Sequence, residues 1–281
     1  MEVQRASGGA FFTTGTDRAQ GALRKTNRQL AKILEQLSTA KRINRASDDA
    51  AGLGIAEQMT TQIRGYRQAS QNIADATAAL DIAEGAGAEI SDMLQRQREL
   101  AVAASNGTLA NNDRAALDKE YQALTLEINR ITEVTNYNRQ QVVNNTDLAS
   151  GNAQIQVGPN AGETLIIPGM NFNTVGTELA GTSLLTSDAA QAALSKVDSG
   201  ITAMNSQRTS IGATLNRLTS AGDNLAVAMI NTQAAESVIR DEDMAEGLAA
   251  LTRERLLAEG AVMTFARYAE ISRNHILGLL Q

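Results

Sequence analysis

The sequence predicts a mainly α-helical protein: long coiled-coil-like helices in an antiparallel bundle, the N- and C-terminal helices paired, and one small β-hairpin. Three observations carry this. Apolar residues recur at alternating spacings of three and four along most of the chain. The only two prolines, Pro159 and Pro168, lie close together in mid-chain, and a proline inside a helix costs about 3 kcal/mol. Aromatics are 3% of residues and Trp is absent, so the core must be built from Ala, Leu, Ile and Val. Such a core suits slim helices packed along their length better than a globular enzyme interior filled with rings.

The elements follow in chain order. Leu23, Leu30, Leu34 and Leu37 mark an N-terminal helix. Ile63, Tyr66, Ile73, Leu80, Ile90 and Leu94 mark a long one, less regular around Gly85 and Gly87. A third, entered through Asn112, carries Leu117, Tyr121, Leu124, Ile128 and Ile131. Between residues 138 and 186 the texture turns to Asn, Gly and Thr. Within it Ala153–Val157 and Glu163–Ile167 read as short strands joined by a GPNAG turn, a hairpin.

The longest periodic run is Ala190, Leu194, Val197, Ile201, Met204, Ile211, Leu215, Leu218, Leu225, Met229 and Ile239. Arg208, Gly222, Thr232 and Glu236 are its exceptions. One helix from Asp188 to Ile239 would be roughly 78 Å long at 1.5 Å per residue, far beyond an ordinary globular helix. Ser187 or Asp188 can cap it, and Asp188 with Gln191 resembles a capping box. The last helix carries Met244, Leu248, Leu251, Ala258, Val262, Phe265, Ala269, Ile276 and Leu279, with Arg255 and Ser272 breaking the rhythm.

The first and last helices each show one narrow apolar stripe, barely stable without a partner helix. Residues 1–46 hold nine Lys/Arg against three Asp/Glu, a net +6, so the remainder of this −6 chain carries −12. The C-terminal arm is slightly acidic, which makes the two ends natural partners. The basic residues lie in a helical pattern without interleaved aromatics, which points away from nucleic acid. No apolar run approaches the roughly 18 residues that would insert through a membrane, and no Sec-type signal is evident at the start.

Chemistry finds little foothold. There is no cysteine, and the one histidine, His275, has no second His or Cys with which to build an ordinary zinc site. Asp48-Asp49 and Asp241-Glu242-Asp243 are neighbours on helices rather than facing acid/base pairs, and suit helix N-termini, with Ser47 and Ser237 placed to cap. There is no Walker loop, dinucleotide fingerprint or nucleophile elbow. Neither a catalytic site, a cofactor site nor a metal site is expected. Asn106-Gly-Thr108 and Asn144-Asn-Thr146 are formal glycosylation sequons.

Four segments, in order, carry a resemblance to one family. RINRASDDAAGLGIAEQM (Arg42–Met59) resembles the R-I-N-x-A-x-D-D-A-A-G-L-x-I-A segment of bacterial flagellins. LQRQRELAVAASNGT (Leu94–Thr108) is similar to their L-Q-R-x-R-E-L-A stretch, with Gln97 at a usually apolar position. IQVGPNAGETLII (Ile155–Ile167) resembles the family's hairpin, and SVIRDEDMAEGLAAL (Ser237–Leu251) its S-x-I-x-D-x-D-M-A segment; ILGLLQ resembles the usual ending. The first twenty residues and ARYAEISRN (Ala266–Asn274) depart from the common pattern.

The resemblance implies a subunit that polymerises with itself into the filament of the bacterial flagellum, for swimming motility, outside the cell. It implies residues 1–47 with 240–281 as an inner terminal-helix domain, the filament's core tube, and 48–187 with 188–239 as an outer helical rod bearing the hairpin near 153–167. Leu23, Leu30, Leu34, Leu37, Leu248, Leu251, Val262, Phe265, Ile276 and Leu279 are then the inner packing residues. The implied partners are other copies, an export chaperone of the flagellar type III secretion apparatus, and the filament cap and hook-junction proteins. A host Toll-like flagellin receptor would be met by Leu94, Gln95, Arg96, Arg98, Glu99 and Leu100, with Glu120 on the next helix. The stretch from Pro168 to Ser187 leaves no room for a large outer insert. The nearest rival is a hook–filament junction protein, which would favour a proline after the acidic pair where this chain has Ala50-Ala51-Gly52. A rival of another class is an intracellular coiled-coil adaptor.

Overall fold

The computed structural model describes residues 2–144 and 153–279, with side chains described for 17–144, 153–271 and 273. The side chains of His275, Ile276 and Leu279, and residues 145 and 146 of the second sequon, lie outside the described residues. The chain is mainly helical: α1 (Glu2–Thr39), α2 (Ala50–Ala104), α3 (Asn111–Val134), α4 (Asn173–Leu179), α5 (Ser187–Arg240) and α6 (Met244–Leu279). Two antiparallel strand pairs interrupt it, β1 (Asn136–Tyr137) with β2 (Gln140–Gln141) and β3 (Gln154–Gln156) with β4 (Thr164–Ile166). The hairpin read from the sequence is β3–β4, with Ile155 opposite Leu165.

Several elements differ from the sequence reading. β2 and α4 lie in the stretch read only as turn-rich, and β1 lies just ahead of it. Asn138 and Arg139 both take left-handed backbone, φ 50° and 66°, as a two-residue hairpin turn demands; an arginine there gives no turn signal. α2 runs unbroken through Gly85 and Gly87. A Cβ on Gly87 would lie 3.3 Å from Arg208 Cγ and 3.4 Å from the Phe172 ring, so this glycine is a packing slot rather than a break.

The helix starts are also capped otherwise than expected. Asp49 Oδ1 accepts from Gly52 N at 2.9 Å and caps α2; Asp243 Oδ1 accepts from Ala245 N at 2.8 Å and caps α6. Ser47 donates no cap, and Ser237 lies inside α5, where its hydroxyl donates to Asp241 at 2.6 Å. For α5 the cap is Thr186 Oγ1, which accepts from Ala189 N, while the Ser187 hydroxyl donates to Ser105 O. In each case the capping oxygen stands just outside the first helical residue: one or two places from the residue expected for α2 and α5, and six from Ser237 for α6.

The chain forms two compact units, residues 1–60 with 232–281 and residues 61–231. Their borders fall inside α2 and α5 rather than at the loops near 47 and 240, because packing changes along a helix without breaking it. In the 61–231 unit, α2 and α5 run antiparallel: Gly222 meets Ile73, Arg208 meets Glu84 and Gly87, and Gly200 meets Leu94. α3 returns along α2, and Arg114 closes the turn between them by donating to Ala104 O (2.9 Å) and Asn106 O (2.8 Å), carbonyls at the end of α2. Around these helices Leu80, Ile90, Leu94, Tyr121, Ile128, Phe172, Leu184 and Met204 are fully buried in one core. The β3–β4 turn sits on α2 where Gly65 leaves space: a Cβ there would lie 2.6 Å from Pro159 Cβ. Asn72 secures it by donating to Gln156 O at 3.1 Å.

Candidate assembly and recognition surfaces

The terminal unit is organised around a joint where the chain leaves α1 and where it enters α6. Ala40 takes a left-handed φ of 54° and ends α1. Lys41 and Asp241 then form an antiparallel bridge, with Arg42 N donating to Arg240 O at 2.7 Å and Glu242 N to Ala40 O at 3.1 Å. The Arg42 guanidinium adds a bond to Ile239 O at 2.7 Å. Asp48 closes the loop on itself: Oδ2 accepts from Asn44 N and Arg45 N at 3.3 and 3.1 Å, and Oδ1 pairs with Lys32 at 2.8 Å. The Lys32 ammonium holds the Asp48 carboxyl below the usual carboxylate range; partial burial opposes this, and the two backbone N–H groups assist it. The acidic clusters Asp48-Asp49 and Asp241-Glu242-Asp243 are thus loop and cap residues of one joint.

From this joint α1 and α6 run side by side. Leu37 packs onto Gly247, where a Cβ would lie 2.7 Å from Leu37 Cδ2. Of the expected packing residues, Leu23, Leu30, Leu37, Leu251 and Phe265 are half-buried, whereas Leu34, Leu248 and Val262 are exposed. α6 does not carry a single narrow stripe. Leu256 is 65% exposed, Met263 66% and Leu257 52%, so a second apolar face stands open. The adjacent pairs Leu256-Leu257 and Val262-Met263 are its trace in the sequence, since neighbours on a helix cannot share one stripe. Ile43 and Ala56 are the only fully buried apolar side chains among this unit's described residues.

A second surface lies on the 61–231 unit, where α2 and α3 run together. Arg96 donates to Glu120 at 2.7 Å and to Glu99 at 3.0 Å, and Arg98 to Asp198 at 2.7 Å. Glu120, then Glu99, raise the Arg96 guanidinium pKa above its ordinary value. Gln95, Arg96, Arg98, Glu99 and Glu120 are exposed, but Leu94 and Leu100 are 0% and 3% exposed and belong to the core. A partner therefore cannot touch those two leucines without unpacking α2, because the spacing that exposes 95, 96, 98 and 99 turns 94, 97 and 100 inward. Gln97 is likewise buried, donating to Thr125 Oγ1 at 2.8 Å and Tyr121 O at 3.2 Å.

Among the described residues no three His, Cys, Asp or Glu side chains converge as metal ligands, and no helix is long and apolar enough to cross a membrane.

Residues 6–147 match the family described as bacterial flagellin N-terminal helical region, and residues 194–280 the bacterial flagellin C-terminal helical region. A flagellin of Halalkalibacterium halodurans is 42% identical over 238 residues, covering 84% of this chain and 86% of that one. A flagellar filament 31.3 kDa core protein of Treponema maltophilum is 35% identical, covering 91% of this chain and 94% of that one. The crystal structure of Bacillus cereus flagellin superposes with a TM-score of 0.50 at 32% identity, covering 55% of this chain and 88% of that chain. Both family regions, in order and over most of the chain, place it: the protein belongs to the bacterial flagellins, structural subunits of the flagellar filament.

Proposed function

We propose that the paired ends, residues 1–47 with 240–281, form the inner tube of the filament, and that residues 48–239 form the rod around it. The observation that carries this is the open apolar face of α6: among the described residues Leu248, Leu256, Leu257, Val262 and Met263 are each more than half exposed. Surface of this kind is closed by other copies when the helices stack, at roughly 25 cal/mol per Å². In this reading the chain acts by polymerising and performs no catalysis. It leaves the cell through the flagellar type III apparatus with its ends kept apart by a chaperone, adds beneath the filament cap above the hook-junction proteins, and serves swimming motility.

The exposed cluster of Gln95, Arg96, Arg98, Glu99 and Glu120 is the part of the chain offered to a host Toll-like flagellin receptor. What supports it is the matching motif and the exposure of its polar members, while Leu94 and Leu100 serve only to orient them. The test of the main reading is electron microscopy of purified protein after seeding with filament fragments. Long tubes growing from the seeds are expected; a discrete oligomer that does not grow would overturn it.

A further inference from the structure

We infer that the ion pair of Glu84 on α2 with Arg208 on α5 is a register key, a polar contact in an apolar seam that permits one axial pairing of the two helices. The seam is repetitive. Ile73, Leu80, Ile90 and Leu94 of α2 face Gly200, Met204, Ile211, Leu218 and Gly222 of α5 through the same small and branched residue types. Apolar positions that recur every three or four residues pair almost as well after a slip of one heptad. Hydrophobic burial alone therefore chooses poorly between registers.

Arg208 breaks that degeneracy within the seam, where the other α2–α5 ion pair, Arg98 with Asp198, lies half exposed at its rim. It occupies a position where the periodic pattern calls for an apolar residue. Its Nε and Nη2 both donate to Glu84 Oε1, at 2.9 and 2.6 Å. The second carboxylate oxygen of Glu84 is buried and has no hydrogen-bond partner, so the pair is not optimised for stability. The Arg208 stem passes over Gly87, which a Cβ would crowd at 3.3 Å, with the Phe172 ring on the other side. A slip of one heptad would lay that stem on Leu80 or Leu94 and bring the guanidinium to Thr77 or Ser91, away from Glu84. The two side chains are 35% and 34% exposed, so separating them carries part of the cost of splitting a buried pair, and that part favours one register over the slipped ones. Gly87 and Arg208, two irregularities in separate helices, are halves of one device.

The chain has no cysteine, so introduced pairs report register cleanly. Gly222 would place a Cβ 3.9 Å from Ile73 Cγ2, with Ile73 Cβ farther off, a separation that a short thiol-bridging reagent spans where a direct disulfide would be stretched. Ile73→Cys with Gly222→Cys should therefore cross-link readily in the native monomer. Leu80→Cys or Tyr66→Cys with Gly222→Cys, one heptad away in either direction, should yield at least tenfold less product. Replacing the pair by Glu84→Leu with Arg208→Leu should keep the chain folded by circular dichroism and raise the off-register product at least tenfold. The exchanged pair, Glu84→Arg with Arg208→Glu, should restore the single register. If the double leucine variant keeps one register, or if the exchanged pair slips as freely as the leucines, the key is refuted. These cross-links are read on monomer, so they stand or fall separately from filament growth.

Discussion

Leu80, Leu94, Tyr121, Phe172 and Met204 are sealed inside the 61–231 unit, while in the terminal unit Leu248, Leu256, Leu257 and Met263 are each more than half exposed. Both regions are long amphipathic helices of similar residue types. What differs is the number of elements around them. In the 61–231 unit, α2 and α5 are flanked by α3, α4 and two hairpins, which close a continuous core and leave scattered side chains such as Leu126 and Ile230 outside it. In the terminal unit α1 and α6 lie together with only the first turns of α2 and the last turns of α5. A pair of helices covers only one face of each, and such pairs are marginal in water. In the proposed reading one unit carries its own stability, and the other would draw stability from copies of itself and so depend on concentration.

The sharpest way to break this comparison is to remove one end. Deleting residues 1–40 or 245–281 should abolish filament growth while leaving the melting of the 61–231 unit unchanged by circular dichroism. A truncated chain that still grew filaments would show that the ends are not the polymerising element.

Next in size is a matched pair of core and surface substitutions. Phe172→Ala should destabilise the monomer by about 4 kcal/mol, the usual effect of deleting a fully buried ring. Leu256→Ala should change monomer stability by less than about 0.5 kcal/mol. It should nonetheless raise the critical concentration for polymerisation roughly tenfold, the equivalent of about 1.4 kcal/mol of lost burial per added subunit. If Leu256→Ala left growth unaltered, the open face of α6 would not be an assembly surface.

A smaller effect is expected at the cap of α6. Asp243→Ala removes the acceptor for Ala245 N and should loosen the first turn by about 1 kcal/mol, seen as faster hydrogen exchange at residues 244–248. The smallest concerns Asp48. Its folded carboxyl titrates below the unfolded one, so its stabilisation is complete above the ordinary carboxylate range and is lost as pH falls through the folded value. Exchange in residues 40–49 should therefore quicken below about pH 4, and Asp48→Asn should remove that acid step.

Much of this was readable before any fold was known. The runs through Leu117–Ile131 and Ala190–Ile239 became α3 and α5 because spacing of three and four leaves a helix one buried side. The GPNAG turn marked β3–β4 because glycine and proline fix backbone directions locally. The β1–β2 hairpin was not readable, since the left-handed Arg139 carries no glycine-like signal. Leu94 and Leu100 were grouped with the exposed charges beside them because a motif match records order along the chain, not the face of a helix. The open side of α6 leaves only the adjacent pairs Leu256-Leu257 and Val262-Met263 as a trace, because an exposed leucine and a buried one look alike in sequence.

The sequence by itself determined the helices, the main hairpin, the pairing of opposite-charged ends, the absence of thiol chemistry and the flagellin motifs. These follow from periodicity, composition and short-range order, which are local properties of a chain. Only the tertiary structure decided that Asp49, Asp243 and Thr186 are the caps, that Gly87 and Gly65 are slots for Arg208 and Pro159, and which leucines are closed and which stand open. Those depend on what lies across from each residue, and burial is a relation between distant segments that no stretch of sequence contains on its own.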